Sequence, residues 1–518
     1  MTESKDRQII LNIAMSLLLQ IVSVVCAFIV PRLILHAYGS EVNGLIVSVT
    51  QFLSYITLLE GGIGGVLRHV LYRPLAEDDN FGMSAAVNAG KRFFRSVGFC
   101  FMGYMSVLAV TYPLFSESPF DFLSTASMVL IIGVSTLLQY FFATPYTVLL
   151  HAAQRRYVTY TFEILALLLN TLATVVLIRL GASAHVVKLA SAAVFALRPL
   201  LLTVYIRRHY RIDRAADGGR QLLAKRWHGL SQHVAFFLHS NTGVAVLTLV
   251  SRDLKYVSVY SVHALVITAL NKLTTIIHAD FEATFGNRLA LGRHDELKST
   301  YKLYDFIIHF VGGILFTAAA LLISSFVGVY VGEVSDTSYH YPLFAALLVA
   351  AEGVYCLRLP SQAMVVASGS FKQTELAAWF EVGINVVLSV VLLKITGIAG
   401  VALGSLAAMA FRLITHTVFV QKNLLGFGVG YYVKRYAVTL ASAAAGVLLS
   451  GLLGGAEIHG FGGWILRAIP VTAIVSAAFF IGNIAAYPSE MKSLFKRISG
   501  IIKKKIGKRG GLNDKGHI

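Results

Sequence analysis

Stretches of twenty or more residues almost free of charge recur from one end of the chain to the other, and they decide what it can become. A helix needs about 20 apolar residues to cross the roughly 30 Å hydrocarbon layer of a bilayer. About fourteen segments meet that length: near 8–31, 43–67, 96–116, 122–150, 157–179, 183–206, 230–251, 256–279, 305–331, 342–368, 374–395, 397–420, 434–454 and 463–487. None alternates apolar and polar residues in the roughly ten-residue units of a transmembrane barrel, so strands are not expected. The expected fold class is therefore all-α integral membrane. A soluble core is excluded by composition as well, since 56% of the 518 residues are hydrophobic and only 14% are charged.

The net charge of +18 raises the question of nucleic acid, and the placement of the basic residues answers it. Lys5, Arg7, Arg73, Lys91, Arg92, Arg95, Arg155, Arg156, the segment 207–226, Arg288, Arg293, Lys298, Lys302, Lys372, Lys422, Lys434, Arg435 and the tail fall on one side of the expected helices. The other side holds Arg32, Arg179, Lys188, Arg252, Lys255 and Lys394. This is the positive-inside pattern, which puts both termini in the cytoplasm and requires an even number of helices. No nucleic-acid partner is expected. The first run starts a few residues from Met1, has no convincing small-residue cleavage site and is too long for a signal core, so it is expected to stay as the first helix.

The polar residues inside the runs repeat. Pro145 and Pro360, Asn170 and Asn385, and Arg179 and Lys394 are each 215 residues apart, while Arg198 and Arg412 are separated by 214. Leu75-Ala76 and Leu289-Ala290 extend the match at 214. Two similar six-helix halves are expected, with the substrate bound where repeated halves meet. The expected domains are 1–206, a cytoplasmic linker at 207–227, a second bundle at 228–421, two extra transmembrane helices at 422–488 without a partner in the repeat, and a tail at 489–518. In that tail Met491, Leu494, Phe495, Ile498, Ile501, Ile502 and Ile506 keep helical spacing among lysines and arginines. Such a helix is expected to lie on anionic membrane lipid, which contributes about 1 kcal/mol per basic residue near the surface.

Several chemistries have no support. There is no G-x-x-x-x-G-K-[ST] for ATP, so any pumping must be secondary. Sixteen histidines form no H-E-x-x-H, and no Ser/His/Asp set can be assembled. Cys26, Cys100 and Cys356 sit inside apolar runs and read as packing residues. No catalytic residue, metal or cofactor is expected. Gly61, Gly62, Gly64 and Gly65 lie within a hydrophobic run and read as close helix packing or a flexible break.

A charge near the bilayer centre costs at least about 2.5–3.5 kcal/mol, so the basic residues within spans need a reason. Arg198, Lys272, Arg358 and Arg412 are the candidates, and Arg198 and Arg412 occupy equivalent positions in the sixth and twelfth expected helices. Arg32 and Arg68 extend the basic path. A water-filled cationic cavity of this kind suits an anionic head group such as a pyrophosphate, because guanidinium forks bind phosphate oxygens in pairs. The other reading of each arginine is pairing with a buried carboxylate or reaching the interface. Of the acidic residues in spans, Glu60, Glu163, Glu352 and Glu381, Glu352 is the deepest. It is the ion-coupling candidate, with pairing to a neighbouring base as the other reading.

PRLILHAYGSEVNG (31–44), LLEGGIGGVLRHVLYRPLAEDD (58–79), LKYVSVYSVHALV (254–266), FGNRLA (285–290), LRLPSQAMVVASGSFKQTE (357–375) and GIAGVALGSLAAMAFR (397–412) resemble bacterial polysaccharide exporters of the lipid-linked oligosaccharide flippase type. These belong to the multidrug/oligosaccharidyl-lipid/polysaccharide superfamily, which also holds the multidrug and toxin extrusion carriers. The resemblance implies two six-helix bundles around a central cationic cavity and translocation of undecaprenyl-pyrophosphate-linked sugar across the inner membrane. It places Arg32 and Arg68 in the first two helix motifs, Arg358 in the tenth and Arg412 in the twelfth. It also implies polysaccharide polymerase and glycosyltransferase partners. Gly243, after Asn241-Thr242, stands where many relatives carry an aspartate, so no ion coupling is implied for that helix. A drug or small-cation exporter is the alternative, weakened by the excess of basic over acidic residues in the spans. A membrane glycosyltransferase or polymerase is a further one, weakened by the short outer connections.

Overall fold

The computed structural model describes residues 2–60, 63–216, 237, 241–454, 458, 460–496 and 499. Among them the chain is helical almost throughout, and the only strand-like pairing is an isolated bridge between Glu117 and Asp253. Eleven helical stretches are long and apolar enough to cross a membrane. The stretch Arg7–Glu60 takes in the first two expected spans. The expected spans at 230–251 and 434–454 correspond to a short apolar helix, Asn241–Ser251, and to the helix Val429–Gly451, which carries Lys434 and Arg435 near its start. Of the expected 207–227 linker, residues 207–209 continue the helix Ala184–His209 and 210–216 follow it, whereas 217–227 and most of the 489–518 tail lie outside the described residues.

The helices divide into two compact units. One is formed by Met1–Leu265, Tyr330–Tyr341 and Ala378–Ser405, the other by Val266–Val329, Pro342–Ala377 and Leu406–Ile518. The shift in the repeat is visible in the helix starts. Arg156 and Phe371 begin equivalent helices 215 residues apart, and Ala184 and Ile398 begin the next pair 214 apart. The repeated proline is used in two ways. Pro145 sits at the start of Thr144–Ala152, just after Phe122–Phe142 ends, whereas Pro360 is carried inside the continuous helix Pro342–Ala367. At Gly64 and Gly65 an added Cβ meets nothing within 4 Å, so close packing does not explain these two glycines. Both lie inside the helix Ile63–Ala76, which comes after a 3-10 turn, Tyr55–Glu60, while Gly61 and Gly62 lie outside the described residues.

In the first unit the helical stretch Thr2–Ser54 is interrupted at Gly39, whose φ of 83° is open to glycine and strained for other residues. The interruption frees the amide of Ser40 at a new helix start, and a distant carboxylate takes it. Ser40 N donates to Asp336 Oδ2 at 2.6 Å and Ser40 Oγ to Asp336 Oδ1 at 2.6 Å. Asp336 thus caps this helix from outside, as a negative group favours a helix N-terminus. The Tyr339 hydroxyl lies 2.8 Å from both Ser40 Oγ and Ser258 Oγ, and Asn43 Nδ2 donates to Ser258 Oγ at 2.8 Å. Burial raises the pKa of Tyr339, so its hydroxyl stays protonated in this knot. Gly44 completes the fit, because a Cβ there would come within 1.9 Å of the Leu254 carbonyl oxygen. Asp336→Ala should lower stability by about 1.5–3 kcal/mol, the worth of hydrogen bonds to a charged group. A thermal midpoint of the detergent-solubilised variant equal to wild type would remove Asp336 from this role.

In the second unit the helix Val429–Gly451 is tied to the neighbouring helix His294–Ile307 by a buried ionic knot. Arg435 Nε donates to Asp305 Oδ2 at 3.0 Å, with the two side chains 1% and 4% exposed. Tyr431 OH donates to the same oxygen at 2.8 Å, and the Arg435 guanidinium sits 4.1 Å from the centre of the Tyr487 ring. His309 Nδ1 meets Thr439 Oγ1 at 2.8 Å within a π-helical turn, Ile308–Gly312. Phe306, Phe310, Val475, Phe479, Tyr487 and Met491 pack around this knot, which fixes the helix Gly460–Ala486 and the first residues of the tail, helical from 488 to 496. Arg435, read from the sequence as a loop charge, is instead a core residue.

Candidate functional site

The seven candidate residues divide between the units. Arg32, Arg68 and Arg198 belong to the first, and Lys272, Glu352, Arg358 and Arg412 to the second.

In the second unit, two arginines and a histidine gather in the interior. Arg358 is 4% exposed, Arg412 2% and His416 3%. Arg412 and His416 are four residues apart on the helix Ile398–Val420 and so share a face. The charges of both Arg412 and Arg358 reach the His416 ring. Arg412 is held in place through Nη1, which donates to the Thr374 carbonyl oxygen at 3.0 Å. Arg358 lies over the ring of Tyr355, 4.9 Å from its centre, one helical turn earlier. Neither ring nitrogen of His416 has a hydrogen-bond partner among the described residues. A buried polar group of this kind calls for a partner from outside the chain, whether water or ligand.

Glu352 is nearby on the same helix as Arg358. Asn271 Nδ2 donates to its Oε2 at 2.8 Å, and the Arg358 charge acts on it as well. Lys272 follows Asn271 and is half-buried. Asn271 and His416 were not singled out by sequence reasoning. An amide or an imidazole on an apolar face gives no signal until its neighbours are known.

In the first unit Arg198 Nη2 forms an ion pair with Glu163 Oε2 at 3.1 Å. Arg156, Arg68 and Arg198 all act on His151, so two of the candidates converge there. Arg68 is half-buried, and its Nε has no hydrogen-bond partner among the described residues. Arg32 is half-buried beside Tyr330, whose hydroxyl donates to the Phe28 carbonyl at 2.7 Å. A separate cavity of about 540 Å³ opens inside this unit, with Glu60, Thr136, Gln139, Tyr140 and Lys188 among its lining. The Tyr140 hydroxyl donates to Glu60 there. Lys188, counted from the sequence as a charge of an outer connection, is part of this lining. Among the described residues no group of three or more His, Cys, Asp or Glu is arranged to hold a metal ion.

No protein-family model matches the chain, and no curated protein sequence does. Solved structures do. The lipid II flippase MurJ in an inward closed conformation aligns with a TM-score of 0.59 at 13% identity, over 92% of this chain and 100% of that one. An inward-facing multidrug resistance MATE family transporter of the MOP superfamily aligns at 0.54 and 12% identity, over 80% and 98%. The MATE multidrug transporter DinF-BH aligns at 0.55 and 15% identity, over 80% and 96%. At these identities the likeness shows the fold, and it is the fold the resemblance implied.

Proposed function

We propose that this chain, a multi-pass membrane protein with the fold of MurJ and of the MOP-superfamily MATE transporters, is a flippase for undecaprenyl-pyrophosphate-linked oligosaccharide. It works by alternating access in a bacterial inner membrane, with both termini in the cytoplasm. Its product feeds a surface polysaccharide such as O-antigen, capsule or exopolysaccharide, and a polymerase and glycosyltransferases act beside it. The observation that carries this reading is the burial of Arg358 and Arg412 around His416. Two guanidinium groups placed together in a membrane helix bundle offer planar forks that bind the oxygens of a doubly charged head group in pairs. Lys272, in the same unit, and Arg32, Arg68 and Arg198, in the other, are the further proposed substrate contacts. The protein itself carries out no covalent chemistry.

The competing reading is an exporter of small cations, favoured by the carboxylates of Glu352, half-buried, and Glu381, buried. Purified protein in liposomes, supplied with undecaprenyl-pyrophosphate-linked oligosaccharide on one leaflet, separates the two. The flippase reading expects saturable appearance of the lipid on the other leaflet. A protein that moves a cationic dye and leaves the lipid in place belongs to the exporter class. In cells, deletion should make the lipid-linked intermediate accumulate, and its sugar identifies the glycan.

Glu352 is the proposed ion-coupling residue. Glutamine at this position keeps an oxygen for the Asn271 amide and removes only the charge. Glu352→Gln should therefore leave the amount of folded protein near wild type while slowing transport and flattening its dependence on pH or sodium. Normal transport with unchanged ion dependence would take Glu352 out of the coupling step.

A further inference from the structure

A second basic site, separate from the buried arginines, lies at one end of the first unit, on the face with the basic loops. It is a cleft of about 1260 Å³ between the helices Asn80–Phe115, Thr144–Ala152 and Ala184–His209 and the segment that follows. Lys91, Arg95, Arg207, Arg211 and Arg214 line it, against the single carboxylate of Asp213. Among the described residues none of the five cations forms an ion pair; Lys91 lies over the Tyr146 ring at 4.9 Å and Arg95 over the Phe99 ring at 5.8 Å.

The cleft is built rather than left over. Asn88, 9% exposed, donates through Nδ2 to the carbonyls of Asp213 and Ala216 at 2.8 and 3.0 Å, and the Asp213 amide donates to the buried Ser84 Oγ at 3.0 Å. These bonds pin residues 213–216 to the helix Asn80–Phe115 and hold Arg211 and Arg214 at the rim. Tyr210 adds a hydroxyl whose pKa burial raises, so it remains a donor. Large apolar side chains sit beside the charges. Phe81 and Phe142 line the same cleft and are 61% and 45% exposed.

A cluster of cations next to exposed aromatic rings, at the end of transmembrane helices, matches a molecule with a phosphate at one end and hydrocarbon at the other. We propose that this cleft holds an anionic phospholipid, with its phosphate among Lys91, Arg207 and Arg211 and its acyl chains along Phe81 and Phe142. A soluble phosphate satisfies the cations and leaves the rings bare, so the lipid is the better fit.

Native mass spectrometry of the full chain, titrated with phosphatidylglycerol or phosphatidylcholine, tests this. Wild type is expected to retain phosphatidylglycerol preferentially. Each charge removed from the cleft should weaken that retention about fivefold, the size of one basic residue's contribution beside anionic lipid. The triple variant Lys91→Ala, Arg207→Ala, Arg211→Ala should lose the preference, and so should Arg211→Ala with Arg214→Ala, whose exposed side chains are not needed for folding. Inorganic phosphate at millimolar concentration should not compete. Unchanged preference in both variants, or displacement of the lipid by inorganic phosphate alone, would overturn the proposal. Neither result bears on the flippase reading, which is tested by transport through the buried arginines.

Discussion

Alanine at Arg358 or Arg412 should lower transport of a pyrophosphate-linked lipid by about 10- to 100-fold, the worth of one lost charge-assisted hydrogen bond to the head group. Both guanidinium groups are almost fully buried, so neither can be replaced by a mobile surface cation. Arg412 supports the Thr374 carbonyl and Arg358 lies over the Tyr355 ring, so through different neighbours each alanine variant should also reduce the amount of folded protein. Lysine restores the charge without the planar fork, so a large recovery in Arg358→Lys would mean that charge alone matters and a small one that paired bonds to phosphate are needed. Lipid transport measured in liposomes, normalised to protein incorporated, gives the comparison. Wild-type transport in both alanine variants would dispose of the cationic site.

The largest loss of stability should come from Arg435. Removing it leaves Asp305 as a carboxylate 3% exposed, without the guanidinium 3.0 Å away that compensates its charge. Breaking a buried pair from one side costs about 3–5 kcal/mol. Arg435→Ala is therefore expected to be poorly recovered in the membrane fraction, and Asp305→Asn to be nearly as poor, since the arginine is then the buried charge left over. Replacing both, as Asp305→Leu with Arg435→Met, should recover a good part of the loss, because an apolar pair of similar size avoids the desolvation penalty altogether. A double variant no better than the singles would mean that the knot is held by its aromatic packing rather than by the ion pair.

The helices were legible because the bilayer leaves so little choice. A long apolar run without alternation has one way to satisfy its backbone, and the stretches Arg156–Arg179, Pro342–Ala367 and Phe371–Thr396 follow the runs that foretold them. The repeat was legible for a similar reason, since the change of offset between Arg179 and Arg198 reappears in the starting residues of the helices. What could not be read were partnerships made over long distances. Gly39 signals a break only because Asp336, 296 residues from Ser40, is there to take the freed amide. Arg435 looked like a loop charge because its counterion is 130 residues away. The candidate arginines were found by their cost in hydrocarbon, but Glu163 beside Arg198, His151 between Arg68 and Arg198, and His416 beside Arg412 needed the fold.

The pairing of Asp305 with Arg435 also bears on how the chain is made. At roughly 5–20 residues per second of synthesis, the 130 residues between them take on the order of 7–26 s to appear. During that interval Asp305 has been made and its counterion has not yet been translated. Until then the carboxylate needs water or other polar groups around it in place of the guanidinium. Only when the helix Val429–Gly451 arrives can the charge be neutralised and the surrounding aromatic rings close. The helix Val429–Gly451 thus closes a pairing opened 130 residues earlier, and a chain halted before Arg435 is left with Asp305 still waiting for its counterion.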